Sequence, residues 1–593
     1  MDREWLKARK SLLKNVKEEV GRRLGKMPAD LTNYEREARL LARGRYRISS
    51  KSEIMAEVES ADIVYGGDFH AHGPAQRTHF KILRHLAPER PVVLALECFE
   101  PRAQKYLDLY LAGRIDAEKL KMRVKWDERW GFPYENYKAL LELAKKRGWR
   151  VQAIGLEAKR TEGQGGLQRQ DVVTAKALRA IMLNSPHALI YVVIGELHLS
   201  HLPELVRRQF KSVRRVARQL REVAIHINTE SVYFQLARKG LEHSVDVIRY
   251  NTPSSSSGPT RFCVLSSPPW VPWQSYLLYL DQTLELEWVE AEGGEEDFDP
   301  TDHVKRLATW IAEDLKLLPS QEGKPGKKLE KMLDGLSVYA AQDATLWRKI
   351  ESAHAGRERD FARRLMMKGA SFMLPSLGVG CLAQTTVNHA AHLASEFLQM
   401  KTSGRDRELW KFPRDFHAAI LVEALAYFGS KQVNHKRQAE TFTDLRTSLQ
   451  TIPPTDEGRE ALRLALDQRM SELVYFHQGR KRKTLVKPKK SASYLEAALI
   501  LGRMMGERLY AAYHARKISR REIVRLFKTD VLSRDFGREY DEIVERLARA
   551  IGTEIAPLSQ GRSISQRGRD GASRHAALEQ VSVYPLRSRR ERI

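Results

Sequence analysis

Cysteine is scarce in this chain: Cys98, Cys263 and Cys381 are far apart, with no Cys-x-x-Cys in 593 residues. That pattern excludes a disulfide framework and a thiolate zinc site, and it fits a reducing compartment. Cys98, just past an apolar run, reads as a small core residue. No stretch approaches the roughly 18 to 20 apolar residues that a bilayer-spanning helix needs. The opening residues, Met1-Asp2-Arg3-Glu4-Trp5-Leu6-Lys7, hold neither an apolar signal core nor a lipobox cysteine, so a cytoplasmic location is expected. Nucleotide-binding loops are missing too. Gly163-Gln164-Gly165-Gly166 lacks the P-loop lysine, and Gly378-Val379-Gly380 stands without its downstream pattern. No zinc finger, helix-turn-helix or aromatic RNA-binding signature is present.

What is present is length, apolar content and positive charge. A chain of 593 residues divides into two to four domains, and 42% hydrophobic residues suffice for real cores. The net charge of +26 fits an arginine-rich bacterial composition spread over solvated helix faces plus a basic tail. It also leaves open an anionic partner held by that tail.

Residues 1–45 alternate charge with Leu and Val at helical spacing, as in Leu12-Leu13-x-x-Val16-x-x-x-Val20, and predict a helical lead-in. Residues 46–250 read as an α/β domain, with strands near 61–66, 91–97, 150–155, 189–194 and 223–228. A linker-rich segment, 251–328, opens on the serine-rich loop Asn251–Thr260 and continues into a short strand at Arg261–Leu265. It then carries the Pro/Trp cluster Ser267–Tyr276, read as a rigid turn with packed aromatics and alternatively as the lining for a flat ligand. An acidic loop at 292–297 and a Pro/Gly/Lys hinge at 319–328 follow. Residues 329–555 read as a helical domain interrupted by a basic loop at 478–490. Residues 556–593 form a basic tail without apolar periodicity, expected to be disordered.

Two short motifs carry most of the functional signal. Gly67-Asp68-Phe69-His70 follows Asp62-Ile63-Val64-Tyr65, and Gly195-Glu196-Leu197-His198 follows Leu189–Ile194. Each is a Gly-x-x-His placed directly after a β-branched run. Glycine permits a sharp turn there, and the histidine is presented at the carboxyl end of the strand, where open α/β sheets build their sites. Between them Pro91–Leu96 is a buried-strand pattern ending on Glu97. A carboxylate in that position has to be paired or coordinated. Two imidazoles and a carboxylate on three strand ends suit a metal, a haem or acid–base chemistry.

These motifs occur in one order with Leu94-Ala95-Leu96-Glu97-Cys98-Phe99 and with Trp126-Asp127-Glu128-Arg129-Trp130-Gly131-Phe132-Pro133-Tyr134-Glu135-Asn136-Tyr137. The set resembles the ChaN family of haem-binding, iron-uptake-associated proteins, in the superfamily that includes Tiki and TraB proteins and erythromycin esterases. The resemblance covers roughly residues 45 to 240. It implies an α/β domain of Tiki-superfamily type with a mostly parallel central sheet, followed here by a mainly α-helical C-terminal domain. It also implies haem as cofactor, held by His70, His198 and Tyr134, or a divalent metal held by His70, Glu97 and His198. The alternatives are a metal- or His-dependent hydrolase with His70, Glu97 and His198 as catalytic groups, and a non-enzymatic interaction module whose site has decayed. Two departures bear on the hydrolase. The Arg-Asp pair that commonly opens the helix before the last core strand is split in Gln168-Arg169-Gln170-Asp171, and Asp68 stands where glutamate is usual.

Other polar groups have plainer readings. Glu196 could share a side with His198 only if the chain stayed extended past Gly195. His79 falls on the next helix, facing either the pocket or solvent. Tyr134 and Tyr137 are also explained as packed loop aromatics. His389, His392 and Glu396, at i, i+3 and i+7, share one helix face at a spacing that a metal site could use, but no matching Glu-x-x-His helix is evident and they are read as polar residues on that face.

Overall fold

The β-branched runs form the middle of an eight-stranded sheet in the computed structural model, in the order β1-β7-β8-β6-β2-β5-β3-β4. Its strands are β1 (Tyr46–Ile48), β2 (Ile63–Asp68), β3 (Val92–Leu96), β4 (Arg150–Ala153), β5 (Leu189–Gly195), β6 (Glu222–Ile227), β7 (Val247–Tyr250) and β8 (Thr260–Val264). The structure describes residues 3–25, 33–37, 40, 44–87, 89–156, 165–210, 220–251, 258–292, 299–318, 326–341, 343–353, 357–409, 411–451, 457–478 and 491–552. Most of the serine-rich, acidic, hinge and basic loops, and the whole tail from 556, lie outside these residues.

The six strands from β8 to β4 pair in parallel, while β7 is antiparallel to both β8 and β1. Parallel neighbours need crossover connections, and these cover both faces of the sheet. On one face Val64, Leu94, Tyr191 and Ile225 pack with Leu83, Leu140 and Leu141 of the helices Gly73–Arg84 and Glu135–Arg147. On the other, Tyr65, Val93, Val192 and Ala224 pack with Leu178 and Val206 of the helices Gly166–Asn184 and Leu202–Gln209. Alternation along each strand divides the apolar residues between two cores. This explains why the strands read as continuous apolar runs.

Chain contacts divide the protein into two units, Met1–Gly294 and Glu295–Ile593. The first unit takes in β8 and the helix Trp270–Glu292, against which the N-terminal helix Arg3–Leu24 packs. The short strands β1, at the sheet edge, and β7 beside it carry too little pattern to be read from sequence.

The second unit is mainly helical. It also contains a three-stranded sheet, β10-β11-β9, made by β9 (Ser337–Ala340), β10 (Phe372–Leu374) and β11 (Val379–Leu382), where the sequence had suggested helix nearly throughout. The helices Phe416–Val433 and Ser491–His514 press closely together. A Cβ added at Gly506 would lie 2.5 Å from the Ala424 carbonyl oxygen, so this approach requires glycine. Among the described residues, no helix is long and apolar enough to cross a membrane.

Candidate functional site

β5 lies between β2 and β3, with Gly195 opposite Asp68 and Val193 opposite Leu96. The turns that follow these three parallel strands therefore leave the sheet side by side. His70 comes two residues after β2, Glu97 directly after β3, and His198 within the short 3-10 turn Glu196–Ser200 after β5. A Cβ on Gly195 would sit 3.4 Å from both His70 Nε2 and His198 Cδ2. The missing side chain leaves room for both imidazoles at the strand end.

The three side chains form one chain of polar contacts with a carboxylate at each end. Asp68 Oδ2 is 3.0 Å from His70 Nδ1, and His70 Nε2 is 3.9 Å from Glu97 Oε2. Glu97 Oε1 lies 3.4 Å from His198 Nε2, and His198 Nδ1 lies 2.6 Å from Asp171 Oδ1. Glu97 Oε2 also accepts the Gly195 N–H at 2.7 Å. The two outer carboxylates are themselves held. Asp68 accepts from Tyr137 Oη at 2.6 Å and Gln76 Nε2 at 2.5 Å. Asp171 accepts from Tyr34 Oη at 2.6 Å.

Exposure separates the two imidazoles. The side chain of His70 is 25% exposed, against 5% for His198 and 11% for Glu97. Burial disfavours charge on His198, but its hydrogen bonds to Asp171 and Glu97 outweigh it and push its pKa up to about 10. Burial likewise opposes the Glu97 carboxylate, and the His198 hydrogen bond and charge prevail to hold its pKa below the usual range. His70 is raised as well, with Asp68 overcoming burial. His198 is thus an imidazolium with both N–H groups committed to carboxylates. His70 keeps Nε2 beyond hydrogen-bond distance of its nearest carboxylate.

The aromatic residues around His70 come from two segments. Its ring lies 4.6 Å from that of Trp130 and 5.1 Å from that of Phe132, centroid to centroid. The indole N–H of Trp130 is buried without an acceptor. Phe132 in turn stacks on Tyr279 at 4.5 Å. Tyr134 faces elsewhere: its hydroxyl donates to the Ala117 carbonyl at 3.3 Å and its ring packs edge-on against Trp126.

The remaining histidines and acids have other partners. Glu196 leaves the strand into the 3-10 turn, where extended geometry ends, and reaches His226 Nδ1 at 2.7 Å and the Ile227 N–H at 3.2 Å. His79 is buried between the Gly67 carbonyl and the Tyr191 hydroxyl. His72 contacts Ser267 Oγ at 2.9 Å. In the second unit the three helix-face residues go to separate partners: His389 to Thr386, His392 to Glu423 and Glu396 to Arg405. His392 and Glu396 are buried. Among the described residues, no group of three or more His, Cys, Asp or Glu side chains is arranged to hold a metal ion. In the His70 cluster the donors of His198 and Glu97 are turned toward one another.

Asp171, Tyr34 and Gln76 carry no motif that marks them as parts of this cluster, and Tyr137, which closes the Trp126 motif, reads in sequence as a packed loop aromatic. In sequence Asp171 reads only as half of a split Arg-Asp pair. Its place one turn inside the Gly166–Asn184 helix was the available signal.

Residues 54–177 match the family model described as haem-binding uptake, Tiki superfamily, ChaN. The matched span includes His70, Glu97, Tyr137 and Asp171, and ends before His198. No curated protein and no solved structure is significantly similar to the chain. The likeness to a family described as haem-binding supports a coarse haem- or small-ligand-binding reading of this segment.

Proposed function

We propose that the N-terminal unit binds haem, or a closely related iron ligand, at the strand-end cluster, with His70 as the iron-coordinating residue. One observation carries this reading: His70 is the partly exposed imidazole of the cluster, and its Nδ1 is tied to Asp68 while Nε2 is left to one side. An Nδ1–H donated to a carboxylate fixes the tautomer and strengthens Nε2 as a ligand. The donor set would suit haem, since one imidazole suffices to hold its iron and no preassembled multi-ligand cage is needed. A bound haem would supply an iron centre for the imidazole to coordinate. Tyr137 and Gln76 hold Asp68, which orients His70. Glu97, fixed by the Gly195 N–H and the His198 imidazolium, places a negative charge beside the ligand position.

The same contacts support a second reading. A carboxylate-backed histidine with an available Nε2 is also the arrangement of a general base acting on water. Glu97 would then position the water and His198 would hold Glu97 ionised.

Titration of the full-length protein with hemin, followed in the Soret region, tests the first reading. The wild type should give a saturable shifted band, and His70→Ala should weaken binding by more than about tenfold. Absence of a band in the wild type would overturn haem binding. Metal found in the purified protein, with ester hydrolysis lost in His70→Ala, would establish the hydrolase instead.

A further inference from the structure

We infer that the helix Trp270–Glu292, outside the family-matched segment, supplies an aromatic wall for the flat macrocycle, so that porphyrin is held by stacking independently of its iron. This rests on the proposed haem site and assigns a separate set of residues to it.

Tyr276 and Tyr279, one turn apart on this helix, present near-parallel rings, with centroids 6.0 Å apart and an interplanar angle of 11°. Phe132 stacks on Tyr279, 4.5 Å away and tilted by only 29°, so the three rings form one stack. Phe132 is also the ring against which His70 lies, at 5.1 Å. The wall therefore continues directly into the proposed iron ligand. Two contacts fix it in place. Phe69, the residue before His70, meets Tyr276 edge-on at 6.1 Å. Gly131 adopts φ 74°, and a Cβ there would lie 2.9 Å from the Tyr279 hydroxyl. Only glycine lets the Trp130-Gly131-Phe132 turn pass under that tyrosine.

Tyr276, Tyr279 and Phe132 are all only partly buried. Three rings sharing a similar orientation and left partly open beside a ligand-competent imidazole form a platform for a planar aromatic system. Offset stacking on such rings does not require a metal, whereas His70 acts only through one. The two contributions are separable by the choice of ligand.

Metal-free protoporphyrin IX provides the test, titrated into full-length protein and followed by its fluorescence and by quenching of tryptophan emission. The wild type and His70→Ala should bind it within about threefold of each other. The double substitution Tyr276→Ala/Tyr279→Ala should weaken it by at least about tenfold. Tyr276→Phe/Tyr279→Phe keeps both rings and should bind as the wild type does, which controls for folding. Wild-type protein that gives a hemin Soret band yet ignores protoporphyrin would overturn the wall and leave the haem proposal standing. Loss of binding in the phenylalanine pair would also overturn it, because hydroxyls rather than stacking would then be responsible. A wild type that binds neither ligand removes both.

Discussion

Asp171 Oδ1 lies 2.6 Å from His198 Nδ1, although 27 residues and one complete strand separate the two in sequence. Asp171 is fully buried and His198 nearly so, and each supplies the charge that the other lacks. With Glu97 on its second nitrogen, His198 is sandwiched between carboxylates. It works from behind the site, fixing Glu97 beside His70.

Removing one member of this buried set should therefore cost stability. Asp171→Ala is expected to destabilise the N-terminal unit by roughly 3 kcal/mol, since it leaves the buried His198 with one carboxylate and removes the carboxylate that accepts from Tyr34 Oη. Equilibrium urea unfolding measures it. A change under about 0.5 kcal/mol would show that the pair is not formed in solution.

The same pair sets a pH dependence. His198 is raised from 6.5 to about 10 in the folded chain. Its contribution is fully present below pH 6.5 and is lost as pH rises toward 10. Glu97 is shifted the other way, so its contribution is present above about pH 4.5 and declines in acid. Thermal unfolding of wild type and His198→Gln between pH 6 and 10 should show the Tm difference shrinking as pH rises. A constant or growing difference would contradict this sign.

Tyr137 acts on His70 through Asp68. Tyr137→Phe keeps the ring in the core and removes the hydroxyl at 2.6 Å from Asp68 Oδ2. Hemin affinity should drop by about tenfold with little change in unfolding midpoint. Equal hemin affinity in the variant would mean that Asp68 is oriented well enough by Gln76 and His70.

Gly67→Ala tests the close packing behind the motif. Its Cβ would come within 1.9 Å of Glu196 Oε2 and 3.2 Å of the Ile225 carbonyl oxygen. Glu196 would have to move and give up its contacts with His226 and the Ile227 N–H. The expected loss is about 1–3 kcal/mol, read by differential scanning calorimetry.

In the helical unit, Glu423 accepts from Arg503 Nε and contacts His392 Nε2, each at 3.1 Å. Glu423→Ala leaves a buried imidazole and a guanidinium without their shared carboxylate. That unit should lose about 3 kcal/mol, and chemical denaturation should show it.

The sequence by itself determined the parallel strands, because a strand buried on both faces has to be apolar along its whole length. β2, β3, β5 and β6 were all legible within two residues at either end. It also determined that two histidines and a glutamate follow strands, since Gly-x-x-His after a β-branched run is a local pattern. Only the tertiary structure decided which of them is partly exposed and which is buried. Strand order places β5 between β2 and β3, and that order has no local signature in any strand. The same holds for the roles of His70 and His198, which have identical motifs and different surroundings. One has Asp68 and an aromatic surface; the other has Asp171 from a helix and Glu97 from a neighbouring strand. A side chain's charge and reach depend on groups brought to it by folding, and residues distant in sequence leave no trace in a motif of four.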